Sequence, residues 1–200
     1  TRTTPGRYLT KFYPHLTVQQ VKAHADYYLE EHTPVEVKFA RSESEVVHVY
    51  QHGPSSCMSS LNFRGHVHPA AIYGHDDDDP AWSPDTEVLY FEKGGEIKAR
   101  TVCNRHTKRC ARIYGDSDKL NKAMKLLGYE MAHNALVGAR IRRIEDENGH
   151  GHIMAYIDAG TGSGGGNLYY STTDGEKYWV VSNERGNPSY VGYENGGVTE

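Results

Sequence analysis

The chain has 200 residues, of which 37% are hydrophobic and 15 are tyrosine, and its formal net charge is −4. This length suits one domain of ordinary size. The charge excludes a globally basic nucleic-acid binder but leaves room for a local basic patch. No apolar run approaches the length of a membrane span. The three cysteines are an odd number without a C-x-x-C pair, which predicts no disulfide framework and a reducing, cytoplasmic environment.

Two predicted helices in the first quarter of the chain begin with capping boxes. Thr17 and Gln20 open LTVQQVKAHADYYLEEH, which carries apolar residues at helical spacing, and Ser42 and Glu45 open SESEVVHVYQHG. Between them, VEVKFAR alternates apolar and polar residues and predicts a strand. We expect the second helix to end at Gly53, in the C′ position where glycine is common.

The middle of the chain predicts a loop, a meander of strands and a third helix. Residues 55–84 contain three prolines and the acidic run HDDDDP, which is typical of a loop. The strands TEVLYFEK and EIKARTVC then flank Gly94-Gly95, a hairpin turn, and RCARIYG is the predicted third strand. A helix over DSDKLNKAMKLLGY follows and begins at Asp116 or Ser117.

The second half of the chain predicts further hairpins. GARIRRIED and HIMAYID form one over residues 138–158, and LYYSTT and EKYWVVSNE form another through Asp174-Gly175. Strands in runs, with helices grouped before and between them, predict an α+β fold, an antiparallel sheet of hairpins covered by a few helices. We expect a single domain over residues 1–200, with a glycine- and tyrosine-rich tail over 160–200 that adds strands. Since the sequence starts TRTTPGRY without methionine, we expect a fragment of a longer protein.

One stretch carries a resemblance. The order GPSSCM, HP, GEIKARTVCN and RIYGD, followed by a helix that ends in LGY, resembles uncharacterised proteins encoded by bacteriophages. The resemblance extends from about Val35 to Tyr129. It implies a viral product that works in the cytoplasm of an infected bacterium, and it implies no particular activity.

Cys57, in GPSSCMSS, is the first candidate catalytic residue. A cysteine nucleophile needs a base within hydrogen-bond reach and a nearby cation or helix dipole that lowers the pKa of the thiol. His68 is the preferred base, and His52 and His66 are alternatives. A lone cysteine in a loop is more often a small apolar filler. A cysteine-dependent hydrolase or transferase is therefore an alternative function.

Cys103, His106 and Cys110 form the candidate metal site. The two cysteines flank the short connection NRHTKR, so their side chains would face each other across a strand pair with His106 at the tip. Zinc is bound by ligands of these types, although the seven-residue separation is not that of a standard zinc knuckle. A zinc-stabilised binding module is a further alternative, and zinc is the one cofactor that the sequence suggests.

The third candidate site is a basic hairpin. Residues 98–112 carry six cations and no acid, and the residues expected to bind nucleic acid are Arg100, Arg105, Lys108, Arg109, Arg112 and Tyr114. Clustered cations bind phosphates and release counterions, and tyrosines stack on bases. Arg140, Arg142 and Arg143 would add a second basic strand. Strand residues alternate between faces, however, and the acidic run could neutralise part of this charge.

The cluster of cations within an acidic chain carries the leading functional hypothesis. We expect a non-enzymatic accessory protein of phage type that binds a macromolecule, preferentially nucleic acid, through this hairpin. Its partner would be nucleic acid or a host or phage protein, with no membrane involved. The four consecutive aspartates are more typical of a solvated loop than of a magnesium site, because consecutive residues seldom converge on one ion.

Overall fold

The chain divides into two compact units, Thr1–Val35 and Glu36–Glu200, and its organisation as a single domain stays a prediction. The computed structural model describes residues 3–56, 68–80, 83–142, 144–145, 151–152, 169–172, 178–182, 192–194 and 197–199. Helices and mostly antiparallel strands within these residues confirm the α+β class. None of the helices described is both long and apolar enough to span a membrane.

The first unit is a pair of helices, α1 (Pro5–Phe12) and α2 (Val18–His32). The predicted capping box at the start of α2 is confirmed. The Gln20 N–H donates to the Thr17 hydroxyl at 3.2 Å, and the Thr17 N–H donates to the Gln20 side chain at 2.9 Å. The sequence reading did not include α1, which Thr4 caps. Neither helix contains a buried residue.

The second unit is built on a six-stranded sheet in which β4 and β6 are parallel and every other pair is antiparallel. The predicted Gly94-Gly95 turn is confirmed, with positive φ at both glycines. The predicted third strand is interrupted, because its two ends pair with β3 at separate places. The strands are β1 (Lys38–Ala40), β2 (Thr86–Lys93), β3 (Glu96–Asn104), β4 (Arg109–Cys110), β5 (Tyr114–Gly115) and β6 (Glu130–Met131).

Helices cover both faces of this sheet. Successive strand residues point to opposite faces, so Val88 and Leu89 of β2 belong to different cores. Val88 joins the core under α3 (Glu43–His52), and Leu89 joins the core under α4 (Ser117–Leu126). Both helices start at predicted caps, Ser42 with its Glu45 partner and Asp116.

A buried 3₁₀ helix, Pro69–Tyr73, lies beside α3 where the sequence predicts a loop. All five of its residues are buried. The loop prediction is therefore wrong for this segment, because burial by α3 and the sheet decides its structure. α3 ends at Gly53 as predicted, but Gly53 is its C-cap residue and not a left-handed C′ residue. It has an extended backbone with φ −95°, and glycine is needed there because a Cβ would lie 2.4 Å from the Val49 carbonyl oxygen.

Shorter strands follow the six-stranded sheet. The predicted antiparallel pairing of LYYSTT with EKYWVVSNE is confirmed, although its turn lies outside the described residues. Among the described residues of the predicted 138–158 pair, no strand pairs with the main sheet. Its first strand, β7, pairs with β11 in a separate sheet, and β8 pairs with β9. These strands are β7 (Arg140–Arg142), β8 (Ile144–Glu145), β9 (Gly151–His152), β10 (Tyr169–Thr172), β11 (Tyr178–Ser182), β12 (Gly192–Glu194) and β13 (Gly197–Thr199).

Candidate nucleic-acid interface

The turn between β3 and β4 carries the centre of the predicted basic site. Buried Asn104 closes it, since Oδ1 accepts hydrogen bonds from the backbone N–H groups of His106 at 3.0 Å and Thr107 at 3.1 Å. Lys108 then adopts a left-handed backbone with φ 56°, which is uncommon for a residue with a Cβ. The turn is thus held by its own side chains in a defined shape.

A disulfide between Cys103 and Cys110 closes the base of the turn. The expectation of no disulfide is wrong, because the antiparallel register places these two buried cysteines opposite each other with Cα atoms 4.0 Å apart. The odd number of cysteines misled the prediction, since one pair forms and Cys57 is left over. The cytoplasmic assignment therefore no longer has the support of the cysteine count and stays a prediction.

The predicted metal ligands make other contacts. A sulfur atom in a disulfide is not the thiolate that binds zinc. The third residue, His106, directs Nε2 to Asp85 Oδ1 at 3.1 Å. Among the residues that the structure describes, no group of three His, Cys, Asp or Glu side chains is arranged to hold a metal ion. A zinc site here would require the disulfide to be reduced.

Arg100 lies in the interior rather than on the predicted basic surface, with 1% of its surface exposed. Its guanidinium stacks on the ring of Tyr50 at 3.7 Å and faces the ring of Tyr114 at 4.7 Å. Nη2 donates to the Ser56 hydroxyl at 2.7 Å. Arg100 and Tyr114 thus form part of the protein's own packing.

Four of the predicted cations remain at the surface, and we call them the basic surface: Arg105, Lys108, Arg109 and Arg112. Arg105 is partly exposed and the other three are exposed. Lys108 Nζ donates to the Leu127 carbonyl at 3.1 Å and lies 5.2 Å from the Tyr129 ring. Arg109 has only a loose contact with Glu130, at 3.9 Å between half-exposed groups, which is worth little in water.

Asp76 and Asp77 of the acidic run neutralise a different part of the molecule. Asp76 Oδ2 lies 3.5 Å from Arg142 Nη2, which also pairs with Glu43 at 2.6 Å. Asp77 accepts a hydrogen bond from the backbone N–H of Ser44 in the first turn of α3, where the helix dipole favours negative charge. Asp77 thus caps the start of α3 and Asp76 pairs with Arg142 of β7, and neither of these contacts involves the basic surface.

Asp85 pairs with Arg140 and neutralises its charge, so Arg140 does not form a basic strand with Arg142 as predicted. It accepts from the Arg140 side chain at 3.0 Å and from the Arg140 backbone N–H at 2.8 Å, and it also contacts His106. Burial alone would raise the pKa of Asp85, but the hydrogen bonds and charge of Arg140 outweigh it and hold this pKa below its usual value. The cluster ties the turn to β7. Arg143 lies outside the described residues.

Glu87 is a buried charged residue that the sequence reading missed. It is 0% exposed, accepts a hydrogen bond from the Tyr129 hydroxyl, and accepts another from Arg41 Nε at 2.7 Å. Burial, and then the Glu87 carboxylate, raise the pKa of Tyr129. A signal was present, because Glu87 is two residues from apolar Leu89 on the same strand face. The cross-strand partner of Glu87 is Cys103, so this carboxylate supports the strand that carries the disulfide.

The predicted catalytic pair is described only in part. Cys57 and the alternative base His66 lie outside the described residues. His68 is buried, its Nδ1 accepts from the Ala70 N–H at 3.1 Å, and its ring centre is 6.0 Å from that of Tyr50. Ser56 and His68 are the described residues on either side of 57–67. The ring of His68 lies near that of Tyr50, and Ser56 accepts a hydrogen bond from Arg100, which stacks on the same Tyr50 ring.

Comparisons with models of known families, with curated proteins and with solved structures find no match to this chain.

Proposed function

We propose that the chain is a non-enzymatic accessory protein that binds nucleic acid through the basic surface. One observation carries the proposal: Lys108, Arg109 and Arg112 are exposed beside a turn that Asn104 and the disulfide hold in place. Cations in a fixed arrangement lose less freedom when they bind phosphates than cations on a flexible loop. The resemblance to bacteriophage proteins adds an infected bacterium as the setting.

Binding would depend mainly on phosphate contacts. The ring of Tyr114 lies 4.7 Å from the guanidinium of Arg100 and 5.3 Å from that of Arg112, so it is already engaged by the protein. Phosphate contacts position a protein on nucleic acid without reading its sequence. We therefore expect little preference among sequences and a strong dependence of affinity on salt.

The first test compares the affinity of the native chain and a triple variant for labelled single-stranded and duplex oligonucleotides, measured by fluorescence anisotropy at low salt. Replacing Arg105, Lys108 and Arg109 by alanine should weaken binding at least about tenfold. Lys93→Ala is the control, because Lys93 is exposed at the end of β2, beside the start of β3 and away from the turn that carries the basic surface. Equal affinities of the triple variant and the control would exclude the basic surface as the binding site.

A cysteine-dependent enzyme is the second candidate, and the position of Arg100 favours it. Arg100 donates to Ser56, the residue before Cys57, and a guanidinium near a thiol lowers the pKa of that thiol. Because Nδ1 of His68 accepts a backbone hydrogen bond, Nε2 is the nitrogen that would carry or accept the proton.

Alkylation by iodoacetamide tests this candidate. In the absence of reductant Cys103 and Cys110 are joined, so the reagent reports on Cys57 alone. An activated thiol should react faster at neutral pH than a small-molecule thiol, and His68→Asn should slow it. A native rate no greater than that of the small-molecule thiol would rule the enzyme out.

A further inference from the structure

Two exposed histidines lie one turn apart on α3. His48 and His52 are separated by four positions, the spacing that makes side chains neighbours on the surface of a helix. Their rings stack, with ring centres 4.4 Å apart and an angle of 27° between the ring planes. Both side chains are therefore accessible from solvent and close enough to bind one ligand together.

The hydrogen bond of His52 leaves one of its ring nitrogens to bind a metal ion. Nδ1 of His52 lies 3.0 Å from the backbone carbonyl oxygen of His48. Because a carbonyl oxygen can only accept, Nδ1 carries the hydrogen, and in the neutral ring Nε2 keeps its lone pair. Histidines that bind metals almost always donate the other ring N–H to a carbonyl, a carboxylate or water, which fixes the orientation of the ring. His52 thus has the tautomer and the support of a metal ligand.

The separation of the two rings fits a single ion. An ion about 2 Å from one nitrogen of each ring lies about 3 Å from each ring centre, so two rings at adjacent coordination positions have centres about 4–5 Å apart. The observed separation lies in this range. The stack must open by rotation about χ2, and this torsion is broad for histidine. A change of side-chain conformation alone therefore brings both nitrogens to one ion.

The helix that carries the pair is held in place by the rest of the unit. α3 begins with a capping box and buries Val46, Val49 and Tyr50. The two histidines therefore project from a rigid element, which lowers the entropy lost when they bind one ion. His52 also lies in the last turn of α3, where the helix dipole favours positive charge.

We propose that His48 and His52 form a binding site for a divalent transition-metal ion, with Nε2 of His52 and a ring nitrogen of His48 as ligands. Imidazole nitrogens bind Cu²⁺, Ni²⁺ and Zn²⁺, and the general order of affinities places Cu²⁺ highest. Water or a group from a partner molecule fills the other coordination positions. The inference does not depend on nucleic-acid binding, and the site is separate from the disulfide and His106.

α2 contains a matched control for the pair. Nδ1 of exposed His32 also contacts a backbone carbonyl, that of Tyr28, at 2.8 Å. The ring of His32 is stacked as well, but on the ring of Tyr28, with ring centres 3.9 Å apart. His32 therefore has the same hydrogen bond and the same exposure as His52, with a tyrosine in place of the second imidazole.

Isothermal titration of the full chain with Cu²⁺ and with Ni²⁺ tests the proposal. All proteins carry Cys57→Ser, so that no free thiol competes for the ion while Cys103 and Cys110 are joined. His48→Gln and His52→Gln should each weaken the tightest binding event at least about tenfold, because two ligands held together bind far more tightly than one. His32→Gln should leave this affinity unchanged, and far-UV circular dichroism without metal should show the same helix content in all four proteins.

Electron paramagnetic resonance of bound Cu²⁺ gives a second measurement. The signal should show coupling to both imidazole nitrogens of the pair in the starting protein, and one fewer coupled nitrogen after either His48→Gln or His52→Gln. Absence of binding of both ions, or an affinity that neither substitution lowers, would overturn the proposal. An equal loss of affinity in His32→Gln would overturn it as well, because binding would then come from separate histidines.

Discussion

The two units of the chain differ in what holds their helices. In Thr1–Val35 the two helices begin at the caps Thr4 and Thr17, and no helical residue is buried. In Glu36–Glu200, α3 and α4 each bury three residues against opposite faces of a sheet. The difference teaches that local signals decide where a helix begins, whereas burial decides how stable it is. Changes in the first unit should act on local helix content, and changes in the second on global unfolding.

Arg100→Ala should have the largest effect on the second unit. It removes a buried side chain that stacks on Tyr50 and Tyr114 and donates to Ser56, and we expect the free energy of unfolding to fall by about 3–5 kcal/mol. Chemical denaturation measures this change. Arg112→Ala is the control, because exposed Arg112 lies 5.3 Å from the same Tyr114 ring and should cost only about 0.5–1 kcal/mol. Equal losses in the two variants would contradict the account.

Loss of the disulfide should have the next largest effect. Cys103→Ser with Cys110→Ser opens a short loop, and the entropy of closing such a loop corresponds to about 2–3 kcal/mol of stability. Denaturation with and without dithiothreitol should show the same loss in the native chain, and reductant should not affect the double variant. A native chain whose stability is unchanged after verified reduction would contradict this role.

Asp85→Asn should lower stability in a way that depends on pH. The pKa of Asp85 is lowered in the folded chain, so its carboxylate stabilises the fold above its ordinary pKa, and this contribution disappears as the pH falls through the folded value. We expect a difference from the native chain of about 1–3 kcal/mol at neutral pH, closing below about pH 4. Denaturation across this range checks it, with exposed Asp118→Asn as the control. A difference that persists in acid would assign the effect to packing.

The two capping boxes give the smallest effects and the most direct comparison of the units. Ser42→Ala should lower the free energy of global unfolding by about 1 kcal/mol, because α3 is packed on the sheet. Thr17→Ala should leave global unfolding unchanged and reduce far-UV helix signal, because α2 lies in the unit without buried helical residues. Equal shifts in global unfolding for both variants would show that the units unfold together.

The elements that the sequence predicted correctly are those set by neighbouring residues. The Thr17 and Ser42 capping boxes and the Gly94-Gly95 turn need only residues within four positions of each other. The buried Pro69–Tyr73 helix was missed because its proline and flanking glycine suggest a loop, while its structure comes from packing against α3. Likewise, the pairing of β7 with β11 is set by distant segments rather than by the nearest candidate hairpin.

The candidate site shows the same limit. The sequence located the basic hairpin, but only the structure separates buried Arg100 from exposed Lys108. The interruption of the third strand and the Cys103–Cys110 bond both depend on register, which spacing alone left open. Glu87 lies within a predicted strand and Asp85 lies beside it. Each accepts a hydrogen bond from a residue more than 40 positions away, Tyr129 and Arg140 respectively, so neighbouring residues could not predict these contacts.

The salt dependence of nucleic-acid binding tests the central claim most directly. The logarithm of the binding constant is plotted against the logarithm of the salt concentration for the native chain and for the variant that lacks the side chains of Arg105, Lys108 and Arg109. If these cations neutralise phosphates, the slope for duplex DNA should fall by about 2–3, since each contact contributes about 0.9. Parallel lines for the two proteins would contradict the claim.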